Sequence, residues 1–98
     1  MKKIAVILFA LISTNAIANP KCDIVLEYAI SIMEARQIGV SAPDMMQAAD
    51  DAKVAGDLMR ALTIDAYKQS RYDSESIQDA VVEEFGYKHY LNCLQQSK

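Results

Sequence analysis

CDIVLEYAISIMEARQIGV, residues 22–40, decides the fold. Its polar positions Asp23, Glu27, Ser31 and Glu34 are spaced by steps of three and four, which places them on one narrow face of an α-helix. Val25, Leu26, Tyr28, Ala29, Ile30, Ile32 and Met33 cover most of the remaining circumference. A helix with so broad an apolar surface belongs at the centre of a domain. Gly39 supplies a C′ residue able to take left-handed φ, and Val40 is placed to pack back on the last turn.

Beyond this helix the chain restarts at Ser41-Ala42-Pro43-Asp44. Ser41 can cap, Pro43 is tolerated in a first turn, and Asp44 can answer back as in a capping box. The stretch 44–69 reads as one helix or two. Asp50-Asp51 and Gly56 weaken its middle, which favours a short helix to about Ala49 and a longer one from about Ala52 or Asp57. Asp73-Ser74-Glu75 then caps a last helix with the stripe Ile77, Val81 and Phe85, continued by Tyr90, Leu91 and Leu94. Gly86 inside it marks either a close helix–helix approach or a bend. No sustained alternation, hairpin dipeptide or repeat competes with this reading. The expected fold is all-α, a small bundle of three to four helices.

The N-terminus has the three parts of a secretory signal. Lys2 and Lys3 form a positive n-region, Ile4 to Ile12 an apolar h-region, and Ala16-Ile17-Ala18 a cleavage site with small residues at −3 and −1. The apolar run breaks at Ser13 and falls short of the roughly 20 residues a membrane anchor needs. Residues 1–18 are therefore expected to be a signal peptide, and 19–98 a single domain. Without Lys2 and Lys3, eight basic side chains face thirteen acidic ones, a net charge of −5. Such a balance gives nucleic acid little to bind, since counterion release needs a basic face.

Cys22 and Cys93 are the only cysteines and stand 71 positions apart. In a small exported chain such a pair reads as a structural bridge, here between the first and last helices. Closing that loop is worth about 4 kcal/mol in the chain-entropy picture. A domain of this size has only about 5 kcal/mol in total, so the bridge decides whether it folds. The spacing matches neither a redox C-x-x-C pair nor a zinc site.

Signs of chemistry are sparse. His89 is the one histidine, and the steps from Glu83 and Glu84 do not bring those carboxylates to its helical face. Asp50, Asp51 and Asp57 cluster near a helix junction without the pattern of a calcium loop, and solvated helix-end charges are the ordinary account. Arg36 and Gln37 close a largely buried helix. The Arg36 guanidinium therefore needs a carboxylate or carbonyl partner, with Asp65 and Asp44 as candidates, and the pair reads as structural. Met45 and Met46 cannot easily both face inward on one short helix. With Asp50 and Asp51 they form the expected partner surface, since methionine suits an adaptable apolar contact. No catalytic, cofactor-binding or metal-ligating residue is assigned, and no cofactor is expected.

Ala29, Ile32-Met33, Arg36-Gln37 and Gly39, followed by Ala66-Tyr67, Phe85-Gly86, Tyr90 and Cys93, resemble a set of small exported two-cysteine proteins of Gram-negative bacteria and their prophages. The resemblance covers nearly all of the mature chain. It implies an exported helical domain with a terminal disulfide, carries no catalytic residues, and points toward a phage-related or inter-bacterial role. The function expected first is a periplasmic or secreted binding module without catalytic activity, of the immunity, inhibitor or superinfection-exclusion type. Its partner would be another protein, with no nucleic acid and no stable membrane anchor. An acid-stress or chaperone-like protein is the alternative, because thirteen carboxylates would respond to acidification. An unrecognised enzyme is third.

Overall fold

The computed structural model describes residues 20–52 and 56–96. The expected signal peptide lies outside them. The described residues form four helices: α1 (Pro20–Ile38), α2 (Ala42–Asp51), α3 (Gly56–Tyr67) and α4 (Glu75–Gln96). Among the described residues there is no strand, and no helix is long and apolar enough to cross a membrane. The all-α fold follows the reading above, and stretch 44–69 falls into two helices.

Local chemistry fixes each boundary. Gly39 has φ of 101°, its N–H donates to the Arg36 carbonyl at 3.2 Å, and the Val40 N–H donates to Ala35 at 3.0 Å. Those two bonds are the Schellman arrangement, which satisfies carbonyls that α1 leaves open. A side chain at Gly39 would face both the strain of positive φ and the Arg71 guanidinium at 3.3 Å. Ser41 caps α2 by accepting from the Asp44 N–H at 3.2 Å, with Pro43 in the first turn. At the start of α4 the Ser74 carbonyl accepts from the Gln78 N–H at 2.9 Å.

α1 is central. It packs against α4 on one side and α3 on the other, while α2 lies chiefly on α3. Cys22 at the start of α1 is bonded to Cys93 near the end of α4, so these two helices run antiparallel. Ala29, Ile32, Met33, Leu62, Ala66, Val82 and Phe85 form the core, and Met45, Leu58 and Tyr67 pack onto it.

The inner line of α4 differs from the expected stripe. Ile77 and Leu91 are exposed, and Val81 is only half-buried; Val82, Phe85 and Gly86 take the interior. Two constraints on α4 set this rotation. The bond at Cys93 and the closest approach at Gly86 must both face α1, and positions three and four apart from them follow. A Cβ at Gly86 would stand 2.7 Å from Ile30 Cγ1 and 3.2 Å from Leu26 Cδ1. Gly86 therefore marks a close approach, and α4 runs unbroken through it.

Candidate functional site

The disulfide end of the bundle holds an open groove of about 490 Å³ between the first half of α1, the start of α3 and the last turns of α4. Ile24, Val25 and Tyr28 of α1 and Leu58 of α3 give it an apolar floor, and Cys93 contributes to the wall. Lys21, His89, Asn92 and Gln96 supply the polar rim. Helical spacing explains the set. Lys21, Ile24, Val25 and Tyr28 fall within two turns on one side of α1, and His89, Asn92, Cys93 and Gln96 repeat by three and four along α4. The disulfide, with Cys22 wholly buried, fixes the two helices on either side of this groove.

His89 is held from behind. Its Nε2 lies 2.7 Å from Asp65 Oδ2, and Phe85 meets its ring edge to face at 4.6 Å. Lys88 donates to the same Asp65 oxygen at 2.9 Å. These are the side-chain links that tie α3 to α4 across 23 and 24 positions of sequence. Burial pushes the Asp65 carboxyl pKa up, but the hydrogen bonds and charges of Lys88 and His89 outweigh it and hold the group below the ordinary aspartate value.

A depressed carboxyl pKa stabilises the fold above the unfolded value and loses that contribution as pH falls through the folded one. Asp65→Asn should therefore cost about 1 kcal/mol at pH 7. The gap to the parent should close as pH falls below about 4, the ordinary aspartate range. Urea unfolding at several pH values reads this directly, and a gap independent of pH would refute the assignment.

The other residues singled out by sequence lie apart from the groove. Arg36 pairs with neither Asp65 nor Asp44. Its Nε and a terminal nitrogen donate to the Gln69 carbonyl at 3.2 and 3.0 Å, and its guanidinium stacks 5.1 Å from the centre of the Tyr67 ring. The carboxylates were the wrong candidates because the chain between α3 and α4 turns its backbone carbonyls onto the end of α1. Gln37 is buried there, donating to Ser70 at 2.8 Å and accepting from the Tyr72 N–H at 2.9 Å. Its own carbonyl accepts from Arg71 Nε at 2.9 Å. Arg36 and Gln37 thus clamp the connection 69–72 to α1.

Met45 and Met46 are both half-buried, and Met45 packs on the core. Asp50 forms an ion pair with Arg60, and Asp51 accepts from Gln47 at 3.1 Å. Asp57 is exposed. Among the described residues no three His, Cys, Asp or Glu side chains are arranged to hold a metal ion.

Sequence reasoning missed the groove and the role of Asp65. Lys21, Ile24 and Leu58 look like ordinary helix positions until three helices are brought together, and no local spacing links Asp65 to His89. The chain matches no family model, no curated protein and no solved structure.

Proposed function

We propose that this chain acts outside the cytosol as a small binding module that holds a partner and turns over no substrate, in the manner of an immunity, inhibitor or superinfection-exclusion protein. The observation that carries this reading is the groove at the disulfide end. Its volume, about 490 Å³, lies in the range of ligand sites, and its floor is apolar with a few polar groups at the rim. A wall fixed by a covalent bond reduces the ordering that binding would otherwise cost. The disulfide also marks a protein that folds in an oxidising compartment, and the signal expected at 1–18 would place that compartment in the periplasm or beyond. The Met45–Met46 helix is the poorer contact site, because its thioethers are already partly committed to the fold.

The oxidised protein at pH 7 should bind one molecule of the apolar dye anilinonaphthalene sulfonate. Ile24→Glu, which places a charge on the groove floor at an exposed position, should weaken that binding by at least about tenfold while the helical circular-dichroism signal persists. Dye binding that appears only on acidification would overturn the reading in favour of the chaperone-like alternative. Asp65 gives that alternative its footing, since its charge helps hold α3 to α4.

A further inference from the structure

The rim of the groove has a charge character opposite to that of the chain. The protein carries thirteen acidic side chains, yet none of the described residues lining this groove is a carboxylate. A second groove, between the end of α1 and the start of α4, collects Glu34, Glu75 and Asp79. At the disulfide end Lys21, which is exposed, is the cationic group of the rim, and the other ionisable lining groups are Tyr28 and His89, the latter already paired with the Asp65 carboxylate 2.7 Å away. Lys21 stands in the first turn of α1, where the positive end of the helix dipole adds to its charge. Asp23, two residues on, falls on the opposite side of the helix. Asn92 and Gln96 add neutral amide donors along the same edge.

From this contrast we infer that the groove takes a monomeric single-chain amphipath with a carboxylate head, of the fatty-acid class. Its tail lies over Ile24, Tyr28 and Leu58, and its head is met by Lys21. The apolar floor supplies affinity for the tail. The Lys21 ammonium selects an anionic head over a neutral or cationic one. The inference rests on the groove being a binding site, and it adds the chemistry of the occupant.

The test uses the oxidised, processed protein and three probes with the same ten-carbon tail: decanoate and decyltrimethylammonium below their micelle concentrations, and decanol below its solubility limit. Decanoate should bind one per chain by calorimetry, raise the thermal midpoint with concentration, and bind at least tenfold more tightly than the other two. Lys21→Glu should cut decanoate affinity at least tenfold and leave decanol affinity unchanged. Lys21 is exposed, so the variant should fold. Equal affinity for all three probes, or indifference to Lys21→Glu, overturns the carboxylate head. Binding to anionic phospholipid vesicles without binding of monomeric decanoate overturns the soluble ligand, and a groove crosslinked to a protein side chain that decanoate does not displace overturns it in favour of a protein occupant. If decanoate fails while the dye still binds in a way that Ile24→Glu weakens, the ligand class falls and the binding-module reading stands. If the dye fails too, both fall.

Discussion

Replacing Cys22 and Cys93 together by alanine should lower the folding free energy by about 4 kcal/mol. The bond joins residues 71 positions apart, so almost the whole domain lies within the loop it closes. Breaking it releases the unfolded chain to a much larger ensemble, while the folded helices keep most of their packing. Total stability for a domain this small is about 5 kcal/mol, so the reduced form would retain about 1 kcal/mol and melt near ambient temperature. Cys22 is also fully buried between α1 and α4, and alanine leaves a small void there. Reduction of the parent protein with dithiothreitol should reproduce the double variant, which separates the loss of the bond from the loss of side-chain volume. A urea midpoint that does not move on reduction would show that the core, and not the bond, carries the fold.

This dependence explains why the sequence was readable to the extent that it was. The apolar breadth of residues 22–38, the stop at Gly39 and the two distant thiols are local or pairwise signals, and each constrains the fold without knowledge of the rest. The rotation of α4 is different in kind. Ile77, Val81 and Leu91 have the composition of a buried stripe, but α4 meets one main neighbour, α1, and the register of that contact is set by Cys93 and Gly86. Apolar periodicity alone cannot rank two possible faces when only one is to be covered. The groove was invisible for the same reason. It is a shape left between three helices, and its residues carry no pattern until the disulfide brings their ends together. Asp65 shows the limit most clearly. It was a reasonable counter-ion for Arg36 by charge, yet the guanidinium found a backbone carbonyl and the carboxylate went to Lys88 and His89.

Gln37→Leu should lower stability by about 3 kcal/mol, equivalent to a fall of about 15 °C in the thermal midpoint for a domain of this size. The amide is 1 % exposed, and its two ends satisfy the Ser70 carbonyl and the Tyr72 N–H. Leucine matches the volume but leaves both backbone groups of the connection without a side-chain partner. The cost therefore falls on unmade hydrogen bonds more than on packing. Gln37→Glu separates these contributions. A carboxylate still accepts from Tyr72, but it sets a buried negative charge against the Ser70 carbonyl and offers no donor. Its folded pKa must then rise above the unfolded value, so the neutral acid is the form the fold prefers. Stability of that variant relative to the parent is best below the ordinary glutamate pKa of about 4 and is lost as pH rises through the raised folded value. The buried carboxyl of Gln37→Glu gains stability on acidification where Asp65 loses it, yet both gaps to the parent narrow, because the titrating group belongs to the variant in the first case and to the parent in the second. Urea titrations at pH 7 and pH 4 should show the gap between parent and Gln37→Glu narrowing at the lower pH. A gap of constant size would mean that the amide fills space at the end of α1 and does not hold the connection to α4 by its hydrogen bonds.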